Sequence, residues 1–482
     1  MTRVLLTGAS GFVGSRLVPG LLGAGLDVRC LARTPTNLEA ATWRNRVEVV
    51  RGDVGGDLAD AMTGVDVAVY LVHSIGQGTQ WTRTERNHAT NFARAAAAAG
   101  VRRIVYLGGL GRDDDALSEH LRSRHDVGTL LGSTGVEVVE IRAGVIVGGG
   151  SASFEMLRKL VECLPVMVTP KWVETKCQPI AISDVVELLV RAVVHADLAP
   201  GIYDAGGPDV VTYSQMMATF AQVAGLPRRW LIKVPLLTTR LSSLWVGLVT
   251  PLPVPLAREL VESLVNEVVV TGPSACEALS VEPLGLRSAM QRAFLASRVR
   301  TNAETSEANG DRDAFYPLAT DPTWSGATVL SDRRSAHSSV SPRVVFAALE
   351  SLGGATGWYG ARWLWWFRGL LDQAVGGPGL RRGRTASLAE GDPLDFWRIE
   401  VLDAPRCMRL RAEMRLPGRA WLTWTLEEAA GGTQIVQEAT FEPHGFLGRA
   451  YWYAVSPFHV YVFPQLLRGI VASAKRLEHQ TS

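Results

Sequence analysis

The sequence predicts an α/β protein: a doubly wound parallel sheet followed by a separate α+β module. Three observations carry this. Short β-rich apolar runs alternate with helical patterns over the first half of the chain, and a glycine-spaced turn joins the first run to the first helix. The composition then breaks near residue 300, beyond which a helix, consecutive strands and a final long helix follow. At 482 residues the chain exceeds one ordinary core, which agrees with two or more domains.

Taken in order, RVLLTG, VRCLA, VEVVRGD, VDVAVYLV, RRIVYLGG and VEVVEIRAG read as buried strands. LVPGLLGAG, AAAAAG and HDVGTLLGSTG supply helices with their glycine ends. Repeated β–α units imply parallel strands with a ligand crevice at their carboxyl ends. From about 150 to 296 the pattern is mostly helical and proline-punctuated, as a substrate-side lobe would be. The stretch RTNAETSEANGDRD at 300–313 has no large apolar residue, so 299–325 is read as a linker between domains at 1–298 and 326–482. In the last segment Ser341 as N-cap and Pro342 in the first turn open a helix. RTASLAEG, DFWRIEVLD, RCMRLRAEM, AWLTWTLEEA and TQIVQEATF read as strands, and an amphipathic helix around HVYVFPQLLRGIVASAKRL closes the chain.

Bulk properties narrow the function classes. Basic and acidic side chains nearly balance at 49 and 47 with no basic block, so no nucleic-acid partner is expected. Five scattered cysteines without a CxxC point to reduced thiols in the cytoplasm, with neither a disulfide framework nor a zinc site. MTRVLLTGAS runs straight into a strand, so no signal peptide is expected. LSSLWVGLV at 241–249 is far short of the roughly 20 residues that span a bilayer. Fourteen tryptophans leave room for an apolar pocket or a peripheral membrane-surface face.

The strongest local signal is VLLTGASGFVGSRL. Gly8, Gly11 and Gly14 stand between a strand and a helix, where Gly8 makes the tight turn, Gly11 lets backbone approach a pyrophosphate and Gly14 lets the helix pack on the strand. The helix N-terminus then faces phosphate charge, and Ser10, Phe12 and Val13, between the glycines, complete the expected cofactor-binding turn. The second strand ends in Ala32 and Arg33, where NAD would want a carboxylate. A guanidinium suits a 2′-phosphate, so the expected cofactor is NADP(H). Asp53 and Val54, ending the third strand, are placed beside the adenine.

These motifs, with RRIVYLGG, IRAGVIVGGGS, QPIAISDVVELLV and GIYDAGGPDVVTYSQMM, resemble the extended or atypical branch of the short-chain dehydrogenase/reductase superfamily, including its NmrA-type NADP-binding proteins. The resemblance covers roughly 1–295 and implies a Rossmann-type domain. The part from about 326 to 480 resembles, by layout, a START-type or polyketide-cyclase-like helix-grip domain. The pairing is similar to bacterial two-domain proteins described as oxidoreductase-like.

The chain departs from that family where its chemistry lies. Members that transfer a hydride use a serine or threonine after the fifth strand and Tyr-x-x-x-Lys on the next helix. Here YLGGLG has no hydroxyl beyond Tyr106, and the pair in SEHLRSRHD is His120 and Arg124. Arg124 is suited to hold the cofactor ribose. His120, with an ordinary pKa near 6.5, is suited to donate a proton near neutrality. Two readings stand side by side: a working site with changed parts, and the remnant of one.

Other candidates are weighed the same way. His73 and Ser74 end the fourth strand beside the expected nicotinamide position, and His73 is the third candidate catalytic residue. Arg142 is read as structural and Glu155 as a surface carboxylate. The aromatic run WYGARWLWWFRG at 358–369 reads either as cavity lining or as plain core, and His444 and His459 lack a metal-ligand pattern. Three functions compete: an oxidoreductase for an apolar carbonyl, enone or quinone-like molecule, a non-catalytic NADP(H)-binding regulator or assembly factor, and a lipid-binding module. The first is favoured.

Overall fold

The computed structural model describes residues 1–73, 81–112, 117–234, 253–297, 328–353 and 388–481, with scattered positions between 250 and 376. Ser74, LSSLWVGLV, RTNAETSEANGDRD and most of WYGARWLWWFRG lie outside the described residues, as does half of RTASLAEG. The chain forms two compact units, Met1–Gly326 and Ala327–Ser482.

In the first unit, seven strands form one sheet: β1 (Arg3–Thr7), β2 (Asp27–Ala32), β3 (Glu48–Arg51), β4 (Val67–Tyr70), β5 (Arg103–Gly109), β6 (Glu137–Ala143) and β7 (Gly201–Ala205). Their order is β7-β6-β5-β4-β1-β2-β3 and every neighbouring pair is parallel. The sheet is apolar on both faces because helices cover both. Val4 and Leu6 pack with Leu17, Leu21 and Leu188 on one side, while Leu5 and Tyr70 pack with Ala89 and Phe92 on the other.

The strand order reverses between β1 and β4, the point at which such sheets open a crevice. Thr7 stitches this point together: its hydroxyl donates to the Val69 carbonyl and accepts from the Leu71 amide, both at 3.1 Å.

The helices that matter for the site are α1 (Phe12–Gly23), α2 (Trp81–Ala98), α3 (Glu119–Leu131), α4 (Ala152–Cys163), α5 (Ile182–Val194), α6 (Tyr213–Val223), α7 (Val254–Ser263) and α8 (Leu286–Ser297). Phe154 of α4, Phe220 of α6 and Met290 of α8 centre a second core cluster, which forms a lobe beside the sheet. Glu155 is not the surface carboxylate expected; it is fully buried, accepts from the Gly150 amide at 3.1 Å and pairs with Arg158 Nε at 3.1 Å. One helical turn separates the two charges, so a single face carries both inward as a compensated pair.

Phe315 and Asp321 fall within the stretch read as a linker, yet they pack in the first unit. Phe315 is buried in the lobe core. Asp321 grips Arg16 of α1 through both oxygens at 2.7 Å.

Among its described residues, the second unit is an antiparallel sheet with two helices. Its strands are β8 (Leu330–Ser338), β9 (Pro393–Leu394), β10 (Trp397–Asp403), β11 (Cys407–Ala412), β12 (Gly418–Ala429) and β13 (Gly432–Pro443), in the order β8-β13-β12-β11-β10-β9. Ser341 and Pro342 start α9 (Pro342–Glu350) as expected, although the Ser341 side chain makes no capping bond. The chain ends on α10 (Gly445–Thr481), which packs on α9, β8 and β13. Trp424, fully buried, donates its indole N–H to Gln437 at 3.0 Å, which satisfies two polar groups inside the core. Among the described residues no helix is long and apolar enough to cross a membrane.

Candidate functional site

One cleft of about 560 Å³ opens along the carboxyl ends of β1, β2, β4 and β5. Twelve residues singled out in the sequence line it: Gly8, Ser10, Gly11, Phe12, Val13, Gly14, Arg33, Asp53, Val54, His73, His120 and Arg124, whereas Ser74 lies outside the described residues.

The glycine turn forms its floor. Gly8 sits at φ 73°, in the left-handed region, and a Cβ there would stand 2.9 Å from the Leu71 carbonyl oxygen. A Cβ on Gly14 would lie 2.2 Å from the Gly8 carbonyl oxygen, so only glycine lets α1 approach β1 this closely. At Gly11, among the described residues, only the Gly8 oxygen comes within 4 Å of a notional Cβ, which leaves the backbone open to the cleft. This cradle, with the N-terminus of α1 above it, fits the diphosphate of a dinucleotide.

At the next station β2 ends and Arg33 turns into the cleft with 66% of its side chain exposed, its Nε 3.9 Å from an Asp53 oxygen. Asp53 is itself 42% exposed and accepts from the Gly55 amide at 2.8 Å. Asn91 of α2 pins this loop by donating to the carbonyls of Val54 at 2.8 Å and Gly56 at 2.7 Å.

Opposite lies a polar cluster built from the end of β4 and from α2 and α3. His73 Nδ1 is 2.7 Å from Glu85 Oε1, and Glu85 Oε2 accepts from the Ser123 hydroxyl at 2.6 Å. The His73 ring stacks on His120, with centroids 5.0 Å apart and planes 24° from parallel. Four residues on, along the same face of α3, Arg124 donates to the Leu107 carbonyl and lies over the Tyr106 ring, 5.0 Å from its centroid. Its Nη1, like His120 Nδ1, is buried with no hydrogen-bond partner among the described residues. Tyr106 is fully buried and spends its hydroxyl on the Arg124 carbonyl at 3.0 Å, so it supplies no hydroxyl to the cleft.

The electrostatics correct one expectation. Burial, the His73 ring and the Arg124 cation push the His120 imidazole down to about 3. It is therefore neutral at pH 7 and is not the protonated donor its ordinary pKa suggested. Burial and Arg124 also hold His73 below its usual value, and Glu85 opposes them.

Glu85, Ser123 and Asn91 escaped the sequence reading. Glu85 lies on the buried stripe of α2 with Trp81, Ala89 and Phe92. A carboxylate on an apolar helix face was the available signal. The far wall of the cleft is lined by Leu256 and Leu260 of α7 with Ile146, Ala152 and Ser153.

Residues 8–143 match a family described as NAD(P)H-binding, and residues 324–466 match a family described as a protein of unknown function, DUF2867. The chain is 36% identical over 116 residues to a 3-beta-hydroxysteroid dehydrogenase of Mycolicibacterium neoaurum, covering 22% of this chain and 31% of that one. It is 30% identical over 170 residues to a ceramide reductase of Caulobacter vibrioides, covering 34% and 52%. The matches thus span about a third and about half of these two relatives. Among solved structures, an NADPH-dependent quinone oxidoreductase of Escherichia coli complexed with NADPH aligns at TM-score 0.50 and 19% identity, over 60% of this chain and 99% of that one. That likeness is one of fold. The N-terminal unit of this protein carries an NAD(P)H-binding domain of Rossmann type, and a second domain follows it.

Proposed function

We propose that the protein is an NADP(H)-dependent oxidoreductase of the atypical short-chain dehydrogenase/reductase type, acting on an apolar carbonyl, enone or quinone-like small molecule. The observation that carries this reading is the single cleft in which the glycine turn and Arg33 face the cluster of His73, His120 and Arg124. When bound, the nicotinamide supplies or accepts the hydride. The chain's residues do the rest. Gly8, Gly11, Gly14 and the start of α1 hold the diphosphate. Arg33 favours the 2′-phosphate of NADP(H) over NAD(H). Arg124 holds the nicotinamide ribose, and His73, with the neutral His120 stacked on it, handles the proton. Leu256 and Leu260 exclude water and favour an apolar substrate. The names of two relatives, a hydroxysteroid dehydrogenase and a ceramide reductase, support the same class.

The second unit is read as a START-like helix-grip module that presents the apolar substrate. The long α10 packed on an antiparallel sheet supports this. A non-catalytic NADP(H)-binding regulator or assembly factor is the second reading, and the neutral His120 favours it because that residue brings no acidic proton. Incubating the purified protein with NADPH and a panel of hydrophobic ketones, enones and quinones separates the two. Cofactor consumption supports the enzyme, while tight binding without turnover supports the regulator.

A further inference from the structure

We propose that Glu85 is a positioning residue that holds His73 as the Nδ1–H tautomer, leaving its Nε2 lone pair as the base that takes the proton of a substrate hydroxyl. This rests on the oxidoreductase reading above and narrows it to the alcohol–carbonyl couple, with a secondary alcohol as substrate.

A carboxylate only accepts. Glu85 Oε2 is occupied by the Ser123 hydroxyl at 2.6 Å, and Oε1 stands 2.7 Å from His73 Nδ1. The proton between them therefore sits on the ring nitrogen, and a neutral His73 has an unprotonated Nε2. Glu85 is 3% exposed, so this contact is made away from water, where a charged acceptor orients its donor strongly. His73 keeps 30% of its side chain exposed and lines the cleft.

The groups facing His73 also set its charge. Glu85 comes from α2, and His120 and Arg124 come from α3. Stacking on His120 fixes the ring plane. Burial and Arg124 keep His73 neutral at pH 7, the form that accepts a proton. When it does, the imidazolium is compensated by Glu85.

The step balances. The substrate O–H bond breaks and its proton goes to His73 Nε2. The C–H electron pair leaves as hydride to the nicotinamide of NADP⁺, the C=O bond forms, and the products are a ketone, NADPH and one proton later released to water. Oxidation requires neutral His73, so it is at its plateau at neutral pH and falls on acidification. Ketone reduction requires the imidazolium and rises over the same range.

The test combines tautomer and turnover in the full-length protein. Long-range ¹H–¹⁵N correlation of ¹⁵N-histidine-labelled protein with NADP⁺ should show His73 as Nδ1–H. Glu85→Ala should switch it to Nε2–H and lower the rate of NADPH formation at least 100-fold. Glu85→Gln, whose amide oxygen still accepts, should keep Nδ1–H and shift the acid limb of the rate profile down by about one pH unit, through loss of the neighbouring charge. The probe alcohols are 1-phenylethanol, 2-decanol and cholesterol. An Nε2–H tautomer in the unmodified protein, or no NADPH formation from any probe while NADP⁺ binds, overturns the proposal. Failure of NADP⁺ to bind at all overturns the wider oxidoreductase reading instead, with the tautomer still readable.

Discussion

His73 and His120 stack face to face, centroids 5.0 Å apart, with Arg124 close enough to lower the proton affinity of both. Both rings bind a proton less readily than a free imidazole, His120 far less so. The His120 value of about 3 lies below the roughly 6.5 of an unfolded histidine, so the unfolded chain binds more protons between these two values. Stability is then complete above about pH 6.5 and is lost as pH falls toward 3. Urea midpoints should drop between pH 7 and pH 4.5 by the equivalent of a few kcal/mol, taking about 1.4 kcal/mol per unit. His120→Phe, which keeps the stack and removes the titration, should flatten that decline. Equal declines in both proteins would remove the histidine from the account.

Arg16 and Asp321 are only 1% and 3% exposed and meet at 2.7 Å. Removing one partner strands the other as a buried charge, at a cost of about 3–5 kcal/mol. Asp321→Ala and Arg16→Met should each lower the urea midpoint by that equivalent, and the double substitution should cost less than the sum. Additive losses would show that the two side chains are not coupled.

Tyr106 is the hydroxyl nearest in sequence to the family's serine position, yet its oxygen is committed to the Arg124 carbonyl. Tyr106→Phe should therefore cost about 1 kcal/mol of stability and leave turnover within about threefold. A loss of activity of 100-fold or more with the fold intact would place this hydroxyl in the chemistry.

What is legible in the sequence follows burial. β1, β4 and β5 are apolar runs because both faces are covered, and they are readable as such. β7 is missed because only its last two residues, Asp204 and Ala205, are buried at the sheet edge. β8 is missed because LSDRRSAHS alternates half-buried and exposed positions without an apolar stripe. The glycine turn is readable from spacing alone, and the i, i+4 placement of His120 and Arg124 from helix geometry. Glu85 is not, because its role exists only once β4 delivers His73 above α2 and α3 delivers Ser123. The neutrality of His120 is hidden for the same reason, since His73 and Arg124 lower its proton affinity only in three dimensions.

The proposed function rests on this cleft holding NADP(H) through its glycine cradle and Arg33. Its most direct test is a fluorescence titration of NADPH and NADH into the full-length protein and two variants. Saturable binding is expected with NADPH favoured over NADH. Arg33→Ala should weaken NADPH about tenfold or more while leaving NADH nearly unchanged, in keeping with loss of one charge-assisted contact. Gly14→Val should abolish both, because a Cβ there would stand 2.2 Å from the Gly8 carbonyl oxygen. Equal affinity for both cofactors in the unmodified protein, or NADPH binding untouched by Gly14→Val, would contradict the account.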